Sequence, residues 1–127
     1  MPNNEIVLEN TPPMAKLGLI PHKSCAGIAE KVNGYLLKWR QERKSDQSII
    51  TLAGYRSDSY IVEADCPRFG SGEAKGLIKQ SVRGLDLYIL VDVTNYSLTY
   101  SVCGHENHMS PDDIFRDLKR NIAASMG

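Results

Sequence analysis

The chain has few cysteines, no surplus of either charge and no long apolar run. Its three cysteines lie far apart and form no Cys-x-x-Cys pair, which argues against a disulfide framework and fits a reducing compartment. Fifteen basic residues balance fifteen acidic ones, so the basic excess typical of nucleic-acid-binding domains is missing. No stretch approaches the roughly eighteen apolar residues of a membrane span, and the N-terminus lacks a signal-peptide pattern. We therefore expect a cytoplasmic protein that contacts neither nucleic acid nor membrane.

What is present is typical of one globular α/β domain. Of the 127 residues, 42% are hydrophobic and 24% are charged, and a chain of this length can bury roughly two thirds of its unfolded surface. Residues 1–15 are polar and contain prolines, so we expect a flexible N-terminal arm there. Residues 16–127 form the predicted domain.

The first half of the chain predicts a strand, a helix and a second strand. The strands are expected over residues 16–20 and 49–53. Between them, Ser24 is the expected N-cap of an amphipathic helix. Its buried stripe is expected to consist of Cys25, Ile28, Val32, Tyr35 or Leu36, and Trp39.

The middle of the chain predicts an antiparallel hairpin followed by a buried strand. Tyr60, Val62 and Ala64 alternate with Ser59, Ile61 and Glu63, which is consistent with a half-buried strand, and a return strand is expected over residues 73–79. The run at residues 85–94 is almost wholly apolar, so we expect a strand that is covered on both faces. Asp92 stands near the carboxyl end of that strand, where α/β sheets place ligands.

The end of the chain predicts a long irregular loop over residues 95–109, followed by a helix. Ser110 is the expected N-cap, Pro111 the first helical residue, and the next two aspartates face the positive end of the helix dipole. The expected buried stripe is Ile114 or Phe115, Leu118, and Ile122.

Two groups of polar residues are candidates for binding. One group consists of side chains that can bind a metal and lie within nine residues. Zinc sites need rigidly held ligands, so we favour solvated loop residues over a metal site. The group consists of His105, Glu106, His108, Asp112 and Asp113. In the other, Ser81 and Arg83 stand two residues apart and point to one face of an extended chain, where they can bind an oxyanion. A surface arginine at a strand entrance is the alternative.

The stretch RFGSGEAKGLIKQSVRG, residues 68–84, carries a resemblance to a known family. A motif RF-G-S-G-E, then a short strand, then SVRG and an apolar strand resembles the N-terminal half of ribose-phosphate diphosphokinase, or phosphoribosyl pyrophosphate synthetase. The matching positions are Arg68, Phe69, Gly72, Glu73, Ser81, Val82, Arg83, Gly84 and Asp86. Resemblance is strongest over residues 68–91 and continues into the last helix, and the polar residues 41–59 and the loop at 95–109 indicate a divergent branch.

The resemblance implies a phosphoribosyltransferase-like half domain, with a mixed, mostly parallel sheet, a β-hairpin and flanking helices. The family uses ATP and Mg²⁺ to transfer a diphosphoryl group to ribose 5-phosphate, which makes phosphoribosyl pyrophosphate for nucleotide biosynthesis. Its members assemble as homo-oligomers, either dimers or hexamers.

The resemblance also implies roles for five residues. Phe69 would stack on adenine from a hairpin that reaches into a neighbouring subunit, while Ser71 and Glu73 would bind the amino group of the base. The family usually carries Asp or Asn at the position of Ser71. Ser81 and Arg83 would bind a regulatory phosphate or the phosphates of ADP. An alternative needs no ligand: the glycines make the turn and Phe69 packs beneath it.

Two functional hypotheses follow from the resemblance. In the first, the chain is the N-terminal domain of a longer diphosphokinase and is inactive alone, since the family's catalytic histidine and its ATP and ribose-phosphate loops have no counterpart here. In the second, it is a stand-alone, non-catalytic module that associates with such enzymes. A reading frame that continued past Gly127 into a glycine-rich acidic motif would favour the first hypothesis.

Overall fold

The computed structural model describes residues 15–42 and 57–127 as a mixture of helices and short strands. The predicted arm, except its last residue, and the strand predicted over residues 49–53 lie outside the described residues. The mixed α/β class is confirmed for the part of the chain that is described. It contains one parallel and two antiparallel strand pairs.

The parallel pair lies at the centre of the described fold. β1 (Lys16–Pro21) pairs along its whole length with β4 (Leu85–Leu90). On its other side, Leu19 donates its amide to the Tyr60 carbonyl over 2.8 Å and accepts from the Val62 amide over 2.7 Å. Tyr60 and Val62 are buried and the residues between and after them are more exposed, as the alternating pattern predicts. The core therefore forms where this extended segment meets β1.

The first helix begins differently from the prediction. His22, not Ser24, is the N-cap, and it opens a 3₁₀ turn at Lys23–Cys25 that leads into α1 (Ala26–Glu42). The His22 ring accepts the Ser24 amide, which is the task that the hydroxyl of a serine N-cap would otherwise perform. The prediction of Ser24 as N-cap is wrong because a ring nitrogen two residues earlier replaces it.

The buried side of α1 is rotated from the predicted stripe. Ala29 is fully buried, whereas Ile28, Tyr35 and Trp39 are each more than half exposed. Apolar residues occupy two adjacent rows of this helix, and the prediction mixed members of both. The packed row consists of Cys25, Ala29, Val32 and Leu36.

The predicted hairpin is confirmed. β2 (Ala64–Asp65) pairs antiparallel with β3 (Leu77–Ile78), and a bridge between Arg68 and Ala74 extends the pairing toward the tip. Gly72 has φ +88°, a conformation that glycine adopts without a steric penalty. The return strand is shorter than predicted, but its direction and partner are as expected.

The strand predicted over residues 85–94 ends early and is not covered on both faces. β4 stops at Leu90, and Tyr88 is 53% exposed. An apolar run indicates a strand but not how many of its faces meet other elements. The prediction of a fully buried strand is therefore wrong for the described residues.

Residues 95–109 form a hairpin rather than an irregular loop. β5 (Thr99–Val102) pairs antiparallel with β6 (His105–His108). The two connecting residues, Cys103 and Gly104, have φ values of +50° and +79°, which is the conformation of a tight two-residue hairpin turn. The prediction missed this hairpin because β6 is exposed throughout and so carries no apolar alternation.

The second helix, α2 (Pro111–Met126), begins as predicted. The Ser110 hydroxyl accepts the Asp113 amide, and the Asp113 carboxylate accepts the Ser110 amide, which completes a capping box. Ile114 is fully buried, but the apolar Phe115 is 46% exposed.

The buried side of α2 carries polar residues that the prediction omitted. Asp117 and Asn121 are 1% and 2% exposed, whereas Ile122 is 44% exposed. The helix lies close to the second strand of the first hairpin. A Cβ added at Gly76 would overlap the Arg120 carbonyl group. These contacts place a buried carboxylate next to the hairpin.

Candidate functional site

The tip of the first hairpin is a tight turn at residues 69–73, which we call the Phe69 turn. The Phe69 amide donates to the Glu73 carbonyl over 2.7 Å, and the Gly72 amide donates to the Phe69 carbonyl over 2.9 Å. Phe69 is 48% exposed, and Ser71 and Glu73 are exposed beside it. The turn thus brings all three predicted adenine-binding residues together. Of the alternative, the part in which glycine makes the turn is confirmed, since Gly72 has φ +88°, whereas Phe69 is about half exposed and does not lie wholly beneath the turn.

Arg68 anchors this turn from behind. Its Nη1 donates to the Gly72 carbonyl over 3.2 Å, and its guanidinium carbon lies 4.3 Å from the centre of the Tyr100 ring. Its Nη2 lies 4.0 Å from Asp117 Oδ1 and is buried without a hydrogen-bond partner among the described residues. The side chain is only 10% exposed, so a cation is held behind the turn by a carbonyl, a ring and a carboxylate.

Asp117 is the buried centre of a charged cluster. Its Oδ2 accepts from His22 Nε2 over 2.9 Å and its Oδ1 accepts from Arg120 Nη1 over 2.7 Å. Burial alone would raise the pKa of Asp117, but the hydrogen bonds from His22 and Arg120, with the nearby charge of Arg68, lower the pKa below its ordinary value. The carboxylate is therefore ionised at neutral pH.

His22 extends the cluster to the carboxyl ends of the parallel strands. Its Nδ1 accepts the Ser24 amide over 3.1 Å and lies 2.8 Å from the Ser24 hydroxyl, which accepts the Asp92 amide over 2.9 Å. Because Nδ1 accepts a backbone N–H, the network assigns the ring proton to Nε2. The order of aspartate, histidine and serine is that of a hydrolase relay, but Ser24 is 6% exposed, so its hydroxyl is not open to a substrate.

The Asp92 carboxylate faces outward from the same edge of the sheet. It accepts from the Thr94 hydroxyl over 2.7 Å and from the Thr94 amide over 2.9 Å. These hydrogen bonds lower the pKa of Asp92. Asp92, which we predicted to lie at the edge of the sheet where ligands bind, therefore stabilises its own loop.

A small cavity of about 30 Å³ adjoins the cluster, between His22, Cys66, Asp117 and Asn121. Its size suits a water molecule rather than a substrate. Burial, and next the charge of Asp117, raises the pKa of the Cys66 thiol to about 11. The thiol is therefore protonated at neutral pH and is a poor nucleophile.

The predicted phosphate-binding residues lie on the connection between β3 and β4. Ser81 and Arg83 are both exposed, and the Ser81 hydroxyl accepts the Arg83 amide over 3.4 Å. They border an open depression of about 740 Å³ that the end of α2 also lines. Within residues 15–42 and 57–127, no carboxylate pairs with the Arg83 guanidinium, and no hydrogen bond or ion pair joins this site to the Phe69 turn.

The described residues contain no group of three potential metal ligands. Two members of the group that we predicted to be solvated rather than metal-bound have other partners. Asp113 belongs to the helix cap, and Asp112 pairs with Arg116 over 3.2 Å. His105 and His108 stand three residues apart on β6, an odd spacing that places them on opposite faces of a strand. In the same part of the chain, no helix is long and apolar enough to cross a bilayer.

Sequence reasoning missed the cluster around Asp117. One signal was present: Asp117 and Asn121 are four residues apart and continue the row that starts at Ile114, so two polar residues occupy core positions of α2. His22, directly after β1, gave no periodic signal.

No protein-family model, curated protein or solved structure matches the chain.

Proposed function

We propose that this chain is the N-terminal, phosphoribosyltransferase-like half domain of a cytoplasmic ribose-phosphate diphosphokinase. In this role it contributes part of an adenine site and part of a phosphate site to an oligomer. The observation that carries the proposal is the Phe69 turn, where an exposed ring, a hydroxyl and a carboxylate share one tight tip.

The chemistry of the turn suits an adenine base. Phe69, which is 48% exposed, offers a flat apolar face for stacking. A carboxylate and a hydroxyl accept hydrogen bonds, which is what the exocyclic amino group of adenine requires. Adenine donates from that amino group, whereas guanine presents a carbonyl at the same position, so the Glu73 carboxylate, which only accepts, favours adenine there.

The second site suits a phosphate. Arg83 carries a guanidinium without a carboxylate partner among the described residues, and Ser81 supplies a hydroxyl two residues away. Guanidinium groups bind phosphate through paired N–H donors. The adjoining depression of about 740 Å³ has room for a free phosphate or for the phosphates of ADP.

An adenine site at this turn requires a second chain. A ring at a hairpin tip covers one face of a base, and the opposite face stays in water unless another subunit supplies the second wall. We therefore expect weak nucleotide binding by a single chain and stronger binding within a homo-oligomer. Mg²⁺ would arrive with ATP and bind to its phosphates, with the catalytic groups supplied elsewhere in the enzyme.

Nuclear magnetic resonance of the ¹⁵N-labelled chain tests both sites at once. Titration with Mg·ADP should shift the amide signals of residues 69–73, and titration with inorganic phosphate should shift those of residues 81–84. Phe69→Ala should abolish the first set of shifts and spare the second, whereas Arg83→Ala should do the reverse. Phe115→Ala and Arg116→Ala are matched controls, because they remove another exposed ring and another exposed cation.

Two results would contradict the proposal. One is an absence of ADP-dependent shifts at the Phe69 turn at a chain concentration that supports self-association. The other is an equal loss of both sets of shifts in Phe69→Ala and in Phe115→Ala. That result would mean that any exposed aromatic residue supports binding and that the Phe69 turn is not a specific site.

A further inference from the structure

We propose that Tyr100, on β5, is a positioning residue for the Phe69 turn and acts through Arg68. The inference rests on the proposed function, because it assigns to the second hairpin the task of holding the adenine-binding turn in shape. Tyr100 itself need not touch the nucleotide.

The turn is closed by the residue that precedes it. Arg68 is the covalent neighbour of Phe69, and its Nη1 reaches across to the Gly72 carbonyl over 3.2 Å. The guanidinium thus joins the residue before the tip to a residue at its far side. A displacement of the guanidinium would remove this bond and loosen the two backbone hydrogen bonds that shape the turn.

The guanidinium also lies against the ring of Tyr100. Its central carbon lies 4.3 Å from the centre of the Tyr100 ring, a distance at which the ring attracts the cation. The remaining nitrogen, Nη2, makes no hydrogen bond in the described residues and stays 4.0 Å from Asp117 Oδ1. The carboxylate contributes only charge attraction at that distance, so the Tyr100 ring and the Gly72 carbonyl are the two groups among the described residues in direct contact with the guanidinium.

A second contact places the same hairpin beside the turn. The Cys103 thiol, in the tight turn between β5 and β6, lies 3.8 Å from the Gly70 carbonyl oxygen. The β5–β6 hairpin therefore meets the Phe69 turn at Gly70 as well as behind it at Arg68. Two contacts from one hairpin support the view that this segment shapes the turn.

Hydrogen exchange at single amides tests the proposal. Tyr100→Leu removes the aromatic face, whereas Tyr100→Phe keeps it and removes only the hydroxyl. We expect Tyr100→Leu to speed exchange of the Phe69 and Gly72 amides by about five- to tenfold through local opening. Tyr100→Phe should match the unmodified chain. The Leu19 amide, which donates to the Tyr60 carbonyl, should keep its protection in both variants.

Base selectivity provides the readout that a purely structural role would not change. ADP affinity depends on the fraction of chains in which the turn is closed, so the ADP-induced shifts at residues 69–73 should weaken in Tyr100→Leu to the extent that this fraction falls, while GDP contacts that do not use the shaped turn should not change. The ratio of ADP to GDP affinity should therefore fall in Tyr100→Leu and not in Tyr100→Phe. Tyr96→Leu is the control, since it removes a tyrosine that is 76% exposed in the same segment.

The outcomes separate this inference from the proposed function. Unchanged exchange of the Phe69 and Gly72 amides in Tyr100→Leu would overturn it. So would an equal loss of protection at Leu19, which would show general destabilisation instead. If the unmodified chain gives no ADP footprint, the proposed function fails, and the exchange measurement alone then decides whether Tyr100 positions the turn.

Discussion

Replacement of Asp117 by asparagine should cost the fold a large part of its stability. The carboxylate is 1% exposed and accepts from His22 over 2.9 Å and from Arg120 over 2.7 Å, with Arg68 nearby. Asparagine keeps the size and one acceptor oxygen but loses the charge. Breaking a buried ion pair costs about 3–5 kcal/mol. Because Arg120 is 21% exposed and can turn to water, we expect about 2–4 kcal/mol.

Urea unfolding at pH 7, followed by far-ultraviolet circular dichroism, measures this loss. Asp112→Asn is the control, because it removes a carboxylate from the same helix that is 71% exposed and pairs with Arg116 at the surface. Its cost should stay below about 1 kcal/mol, the usual range for an exposed pair near a helix start. A loss below about 0.5 kcal/mol for Asp117→Asn would refute the view that Asp117 is the charged centre of the fold.

The pH dependence provides an independent check of the same carboxylate. The pKa of Asp117 is lower in the folded chain than in an unfolded one, so its stabilising contribution is complete above about pH 4 and is lost as the pH falls through the folded pKa. The stability difference between the unmodified chain and Asp117→Asn should therefore shrink below about pH 4. A difference that stayed constant down to pH 2 would contradict the assigned ion pairs.

Two further predictions concern packing and thiol reactivity. Gly76→Ala should destabilise the chain by about 1–3 kcal/mol in urea unfolding, because the added Cβ would overlap the Arg120 carbonyl. Gly34→Ala should instead stabilise the chain by up to about 1 kcal/mol, because the space beside Gly34 in α1 is open. Equal effects would contradict the close approach of the hairpin to α2. Iodoacetamide at pH 8 should label the exposed Cys103 before the half-buried Cys66, whose pKa is raised to about 11. Peptide mapping that found Cys66 labelled first would contradict the raised pKa of that thiol.

The sequence predicted the structural elements that depend on residues close together along the chain. The Ser110 cap with Pro111 after it, the buried alternation at Tyr60 and Val62, and the hairpin around Gly72 all depend on neighbours along the chain. Each was recovered because turn and cap chemistry acts within a few residues.

Tertiary contacts decided the rest. Which of two apolar rows on α1 is buried depends on what packs against it, so Ile28 and Trp39 were wrongly placed in the core. The strand β6 lacks apolar alternation, and the turn at Cys103 has no strong sequence signal. The Phe69 turn was predicted from its motif, but its anchor joins Arg68, Tyr100 and Asp117, which are distant in the sequence and carry no shared pattern.

Photolabelling with 8-azido-ADP and Mg²⁺ tests most directly whether the Phe69 turn binds adenine. The chain is irradiated at several concentrations and the modified peptide is identified by mass spectrometry. The proposal predicts modification within or beside residues 69–73 that grows as the chain self-associates and disappears in Phe69→Ala but not in Phe115→Ala. Modification confined to other parts of the chain, or labelling that Phe69→Ala leaves unchanged, would contradict it.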